Sequence, residues 1–105
     1  MFGFWLVEVV RIKVQYYGVA RVMLGIQEET LEVEAPTTLL EFIRLIANLH
    51  NGSLGTYLID PATSSVRAHP ALTYLVDGQM VPYHEVGAIL LEDRSTVSII
   101  PTQAG

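Results

Sequence analysis

Only one stretch of this chain has the spacing of a long amphipathic helix, and segments of alternating character lie on both sides of it. Thr38 and Glu41 form a capping-box pattern, which marks the beginning of a helix. The apolar residues that follow recur every three or four positions and form one stripe: Leu39, Phe42, Ile43, Ile46 and Leu49. Asn51-Gly52 predicts its end. A helix with one apolar stripe needs a sheet to cover, and the rest of the chain must supply that sheet.

Alternation of apolar and polar residues predicts the first two strands of that sheet. Residues 10–16 and 31–35 both alternate, and Pro36 ends the second segment. Gly18 and Gly25 bracket what we interpret as a loop between them. The two segments are close enough in sequence to pair as a hairpin.

The remaining strands lie in the second half of the chain. Residues 72–76 predict a third strand, Asp77-Gly78 a tight turn, and Met80-Val81 a short strand that pairs back. Residues 97–100 carry β-branched side chains at three of four positions and predict the last strand. Pro101 is expected to stop it, because proline has no N–H to donate to a sheet ladder.

The order of these elements predicts an α+β fold with a mixed sheet of four to five strands and one main helix across it. That arrangement is the β-grasp, or ubiquitin-like, architecture. Residues 57–59 are either a short strand or one helical turn, and residues 61–70 are expected to form a polar surface loop. We interpret residues 1–105 as one domain, with residues 1–9 an N-terminal extension and residues 101–105 a flexible tail.

Composition excludes several classes of function. The chain has a formal charge of −5, which disfavours nucleic acid and mildly favours a basic protein partner. It contains no cysteine, so disulfides, thiolate metal sites and cysteine nucleophiles are excluded. The apolar run from Met1 to Val7 is too short to span a membrane, and we expect a cytoplasmic protein. Phe2, Phe4 and Trp5 either pack on the core of the domain or form a contact between copies of the chain.

Other candidate chemistry is sparse. The three histidines, His50, His69 and His84, lack metal-ligand spacing, and we expect no metal site. No glycine-rich phosphate loop is present, so the chain is expected to bind no cofactor and no ATP by itself. Four acids lie around the second strand and form either a solvated face or a docking surface for a basic partner: Glu28, Glu29, Glu32 and Glu34.

The C-terminus carries the most distinctive pattern. After Pro101 the sequence runs through small or polar residues to a terminal glycine: Thr102, Gln103, Ala104 and Gly105. A slim tail behind a core strand can place the carboxylate of Gly105 in a narrow slot of another protein, because glycine has no Cβ. The alternative is an ordinary frayed terminus.

Several segments resemble the MoaD/ThiS family of ubiquitin-like sulfur carriers, and the likeness is closest to the small subunit of molybdopterin synthase. The family opens with a strand ending in paired aromatics, an arginine four residues on and a glycine four further, as Tyr16-Tyr17, Arg21 and Gly25 do here. Residues 75–78 are similar to its hairpin. Residues 91–105 are similar to its ending, which has a proline four residues before the last glycine.

The resemblance implies a carrier and not a self-sufficient enzyme. An activating enzyme would adenylate Gly105 with ATP, and sulfur would replace the AMP to give a thiocarboxylate. The large subunit of molybdopterin synthase would then receive the tail, and the sulfur would serve molybdenum cofactor biosynthesis. Ile99 and Ile100 should alternate faces, so that one enters the core while the other docks the partner together with Pro101 and the tail.

Three departures from the family pattern keep other functions open. The family ends in Gly-Gly, whereas this chain ends Ala104-Gly105. The turn before the last strand is usually Asp-Gly-Asp and here reads Asp93-Arg94-Ser95, and Val22 replaces an acid after the arginine. The alternatives are a ubiquitin-like protein modifier and a β-grasp interaction module that lost carrier activity.

Overall fold

The structure is a computed structural model that describes residues 8–66 and 72–101. Its strands and helices follow in the order β1 (Val9–Tyr16), α1 (Gly18–Leu24), β2 (Glu28–Glu34), α2 (Leu39–Asn48), α3 (Gly55–Leu58), β3 (Ile59–Asp60), β4 (Ser65–Val66), β5 (Leu72–Val76), β6 (Gln79–Val81) and β7 (Thr96–Pro101). Two 3₁₀ segments, His50–Gly52 and Tyr83–Ala88, complete the described elements. The predictions made for Phe2, Phe4, Trp5, His69 and residues 102–105 fall outside the described residues.

Five strands form one mixed sheet in the order β2-β1-β7-β5-β6. β1 and β7 run parallel, with Tyr16 opposite Ile99, and every other neighbouring pair in this sheet is antiparallel. The hairpin predicted between the first two strands is present. The predicted α+β architecture, a mixed sheet with one long helix across it, is therefore confirmed.

The long helix α2 covers one face of the sheet with four of the five residues of the predicted stripe, while the fifth, Leu49, follows the helix as its C-cap and is half-buried. Leu39, Phe42, Ile43 and Ile46 are at most 1% exposed, and they share the core with the inward residues of β1 and β7. The capping box is formed in both directions: Glu41 N–H donates to Thr38 Oγ1 at 3.1 Å, and Thr38 N–H donates to Glu41 Oε1 at 2.9 Å. The helix ends at Asn48, before the predicted Asn51-Gly52.

The segment between Gly18 and Gly25 is a short helix, α1, so its interpretation as a loop was wrong. Gly25 has a φ of +76° and its N–H donates to the Arg21 carbonyl at 2.8 Å, which is the left-handed C-cap that glycine favours. Only Ala20 of α1 is buried. Seven residues with one buried side chain show no apolar stripe, so periodicity alone could not reveal the helix.

The surface loop expected at residues 61–70 also needs correction. Residues 65–66 pair with residues 59–60 as the small hairpin β3–β4, and residues 55–58 form a helical turn that leads into it. Two-residue strands are too short for alternation to be recognised. Pro101, expected to lie just after the last strand, is the last described residue of β7 and stands opposite Leu72.

The tight turn predicted at Asp77-Gly78 is confirmed. Both residues have positive φ, +52° and +86°, as a two-residue hairpin of this type requires. Asp77 also accepts a hydrogen bond from Thr96 N–H on its side chain at 2.9 Å. The turn that joins β5 to β6 is thereby tied to the beginning of β7.

Adjacent residues of β7 should differ sharply in their contribution to stability. Ile99 is 0% exposed in the core, so we expect Ile99→Ala to lower the free energy of unfolding by about 2–5 kcal/mol, through lost burial and the cavity left behind. Ile100 is only half-buried, and Ile100→Ala should cost about 1 kcal/mol or less. Urea titration of both variants measures the difference, and equal losses would contradict the alternation of faces.

Candidate functional site

The candidate site is built around the end of β7, which is the central strand of the sheet. Its residues pair with β1 on one side and with β5 on the other, up to Pro101 opposite Leu72. Strand β7 is therefore held from both sides almost to the point where the tail begins. The tail residues Thr102, Gln103, Ala104 and Gly105 themselves lie outside the described part of the chain.

The two isoleucines of β7 point to opposite faces of the sheet, as the alternation predicted. Ile99 is buried in the core under α2, whereas Ile100 is half-buried on the face that α2 does not cover. We call this uncovered side the outer face. Ile100 was the residue expected to dock a partner, and it is on the accessible side.

Apolar side chains of neighbouring strands continue this surface toward the edge of the sheet. Thr73 stands opposite Ile100, and Leu75 stands opposite Met80 on β6. Met80 is 68% exposed, a large apolar side chain left in water. We call Leu75, Met80 and Ile100 the outer apolar patch. The sequence pointed to Ile99, Ile100, Pro101 and the tail, and it missed Leu75 and Met80 because these two reach this face through register across two strand pairs.

A small polar network fixes the centre of the outer face. Gln15 Oε1 accepts hydrogen bonds from Ser98 Oγ at 3.0 Å and from Tyr17 Oη at 3.2 Å. Ser98 is only 6% exposed, so its hydroxyl depends on this bond for a partner. The network joins β1 to β7 one residue pair before Ile99.

Helix α1 adds a second exposed apolar surface at the same end of the sheet. Tyr17 N–H donates to the Ile99 carbonyl at 3.2 Å, so the helix begins beside the end of β7. Three of its side chains are strongly exposed, at 52%, 81% and 45%: Val19, Val22 and Met23. Sequence reasoning missed them because the segment had been interpreted as a loop.

Arg21 anchors this end of the molecule. Its Nε donates to the Tyr16 carbonyl at 3.0 Å, and its guanidinium carbon lies 5.3 Å from the centre of the Tyr17 ring. Both contacts hold α1 against the end of β1. Arginine in the first connection therefore has a structural role here, which the sequence had left open.

The acids of β2 are largely occupied within the chain. Glu28 pairs with Lys13 at 3.7 Å and Glu32 with Arg11 at 3.3 Å. Glu29 Oε2 accepts from Tyr16 Oη at 2.5 Å and contacts His50 Nε2 at 2.8 Å. These pairs favour the interpretation of β2 as a solvated face with internal partners over that of an acidic docking surface.

The described histidines have ordinary partners. His50 contacts Glu29, while His84 lies 3.6 Å from Glu85 and packs edge-on against Tyr83. Within residues 8–66 and 72–101, no three His, Asp or Glu side chains converge as metal ligands. Among the same residues, no helix is long and apolar enough to cross a bilayer.

A cleft of about 470 Å³ lies on the helix side of the molecule, between α2, α3 and the β3–β4 hairpin. Among the described residues that line it, Arg44 carries the charge, and its guanidinium donates to the Ser64 carbonyl at 3.1 Å. This cleft is on the opposite side of the sheet from the outer apolar patch. It is therefore not part of the candidate site, although it is large.

Comparison with known proteins places the fold. No protein-family model matches the chain, and no curated protein is detectably similar to it. Solved structures do match. Small archaeal modifier protein 1 of Haloferax volcanii superposes with a TM-score of 0.75 at 12% identity, covering 90% of this chain and 98% of its own.

Two further structures carry the same likeness. Urm1 from Trypanosoma brucei has a TM-score of 0.69 at 22% identity and covers 92% of this chain and 96% of its own. The Pyrococcus furiosus protein assigned as molybdopterin converting factor subunit 1 has a TM-score of 0.64 at 20% identity, covering 88% and 97%. The chain has the ubiquitin-like β-grasp fold that these structures share. The fold expected from the resemblance is thus confirmed.

Three tyrosines of this β-grasp core have raised pKa values. Burial, then the hydrogen bond to Glu29 and its charge, raises the pKa of Tyr16 far above the ordinary value. Burial, with the charge of Tyr57 second, does the same for Tyr74, and burial raises the pKa of Tyr57. Tyr74 Oη has no hydrogen-bond partner among the described residues, which makes its ionisation in the core still less favourable.

These shifts predict alkaline instability. Because the folded pKa values exceed the unfolded value of about 10, the tyrosines contribute full stability below pH 10, and that stability is lost as the pH rises. Tyr16 and Tyr74, which are buried in the folded chain, should each lower the free energy of unfolding by up to about 1.4 kcal/mol per pH unit as they ionise on unfolding. Urea titrations between pH 9 and pH 12 measure the slope. Tyr16→Phe and Tyr74→Phe should each make it shallower, and an unchanged slope would contradict the assignment.

Proposed function

We propose that this chain is a sulfur carrier of the molybdopterin synthase small-subunit kind, with Gly105 as the reacting residue. An activating enzyme would join the carboxylate of Gly105 to AMP, releasing pyrophosphate from ATP. A sulfur nucleophile would then displace AMP and leave a thiocarboxylate. A carboxylate needs this activation because it is a poor electrophile until it carries a good leaving group.

The observation that carries the proposal is the placement of β7. The strand before the tail is the central strand of the sheet, and the outer apolar patch and α1 lie beside its end. A partner that covers this end would hold the carrier by a rigid surface while its active site takes the slim tail. Exposed apolar side chains grouped in one place fit an interface better than a free surface.

The proteins whose solved structures share this fold also support the proposed role. Structures of the same fold include a protein assigned as a molybdopterin converting factor subunit and one named as a modifier protein. These names describe a subunit of a larger factor and a modifier, and we extend a carrier role that depends on partner enzymes to the present chain. The partners would be an activating enzyme and the large synthase subunit, in the cytoplasm. ATP would be bound by the activating enzyme and not by this chain.

A protein modifier is the second candidate, favoured by the likeness to small archaeal modifier protein 1 and Urm1. Activation would be the same, and the acceptor would be a lysine amine of a target protein instead of a sulfur donor. The intact mass of the protein purified from its own host separates the two. Replacement of one oxygen by sulfur at Gly105 supports the carrier, whereas lysine-linked conjugates without it support the modifier.

The outer apolar patch should be needed for docking. We expect Ile100→Asp to abolish binding to the large synthase subunit, because a charge would be desolvated at the interface, while circular dichroism shows an intact fold. Leu90→Asp is the matched control: Leu90 is 60% exposed, but it pairs with Thr38 at the start of α2, on the helix side. Equal binding by the two variants would rule out this docking surface.

The tail should tolerate Ala104. The reacting carboxyl carbon belongs to Gly105 itself. Alanine at position 104 can adopt the extended backbone that leads to it. We therefore expect Ala104→Gly to change the rate of adenylation only a few-fold, and deletion of Gly105 to abolish it. Pyrophosphate exchange with the host's activating enzyme measures both. An inert natural chain rescued by Ala104→Gly would instead identify an interaction module that has lost carrier activity.

A further inference from the structure

Half of the cations in this acidic chain line one cleft on the outer face. The sequence has six lysines and arginines. Arg11, Lys13 and Arg94 surround a cleft of about 320 Å³ together with the hydroxyl residues Thr30 and Thr96, and among the described residues no carboxylate side chain lines it. We call this the basic cleft. Its walls offer the N–H donors of three cations and two hydroxyl groups that can donate to an anion.

The backbone sets these three cations side by side. Lys13 stands opposite Thr30 on β2 and opposite Thr96 on β7. Arg94 N–H donates to the Arg11 carbonyl at 2.8 Å, which fixes the turn before β7 against β1. The cluster is thus a product of sheet register and turn geometry.

Arg94 occupies a conformation that favours glycine. Its φ is +72°, in the left-handed region, and its side chain is 84% exposed. Glycine would adopt this φ without the steric cost that arginine bears. The exposed side chain of Arg94 gains no packing in return for this backbone strain, which suggests that the side chain has another role. Its position at the mouth of the basic cleft is consistent with binding an anion there.

Nearby acids do not close the cleft. Arg11 pairs with Glu32 at 3.3 Å, Lys13 with Glu28 at 3.7 Å, and Arg94 Nε lies 3.9 Å from Asp93. All these side chains are about half or more exposed, and such surface pairs contribute little to stability. An incoming carboxylate can therefore share or replace these partners at small cost.

The basic cleft lies within the footprint expected of a partner on the outer apolar patch. Thr96 at the cleft and Ile100 in the patch are four residues apart on β7, which is about 13 Å along a strand. A protein interface of ordinary size covers about 800 Å² on each side, enough to include both. One partner surface can place an apolar group on the patch and an acidic group in the cleft.

We propose that the basic cleft receives an aspartate or glutamate side chain of the activating enzyme when that enzyme docks on the outer face. This inference rests on the proposed carrier function, and it places the activating enzyme on the same outer face on which the large synthase subunit is expected to dock. The apolar patch supplies contact area near the tail. The basic cleft supplies orientation and faster encounter, because paired opposite charges steer association.

The test compares Arg94→Glu and Lys13→Glu with Arg44→Glu in pyrophosphate exchange with the host's activating enzyme. Arg44 is an exposed cation of α2 on the opposite side of the sheet, so the control changes the net charge equally. We expect the KM for the carrier to rise about tenfold in the first two variants with kcat nearly unchanged. The control should match the natural chain. Equal KM values in all three variants would overturn the proposal.

Arg94→Gly separates docking from folding. Glycine relieves the strained φ, so the melting temperature should rise while the KM for the carrier also rises. A merely structural arginine would not give these opposite effects. If the natural chain is not adenylated at all, the proposed function fails. If it is adenylated and the basic-cleft variants behave like Arg44→Glu, only the present inference fails.

Discussion

The parallel pairing of β1 with β7 is the constraint on which the rest of the molecule depends. It brings residues 13–16 against residues 96–99, which are more than eighty positions away in sequence. Parallel neighbours cannot be joined by a tight turn, so the chain between them must cross one face of the sheet, and α2 makes that crossing. Because the crossing covers one face, the outer face stays uncovered. The pairing also places α1 beside the end of β7 at one end of the sheet, and the basic cleft lies toward the opposite end of the sheet.

Much of this fold could be predicted from the sequence because its signals are local. The capping box of α2, the alternation in β1 and β2 and the Asp77-Gly78 turn all involve residues within a few positions of one another. Helix α1 and the β3–β4 hairpin were missed because segments of seven and two residues are too short to repeat the pattern that identifies a helix or a strand. Local sequence patterns therefore predicted the architecture but not its shortest helix and strands.

The candidate site was harder to predict than the fold, since its parts meet only through register. Alternation along one strand predicted that either Ile99 or Ile100 would face outward. Leu75 and Met80 join Ile100 across two strand pairs, and Arg11 meets Arg94 through a turn bond to a distant strand. The spacing of these residues along the sequence does not indicate that they are neighbours in the fold. The resemblance to sulfur carriers pointed to the tail and to the last strand, but not to the cationic end of the same face.

The central position of β7 has a mechanical consequence. Hydrogen bonds in a sheet run across the strand direction, so a pull along β7 loads its bonds to β1 and β5 all at once, in shear. A pull on an edge strand such as β6 would instead meet partners on one side only. A pull on the end of β7 is therefore resisted by a strand that is paired on both sides, so force applied at the start of the tail is spread over the sheet and does not peel off an edge.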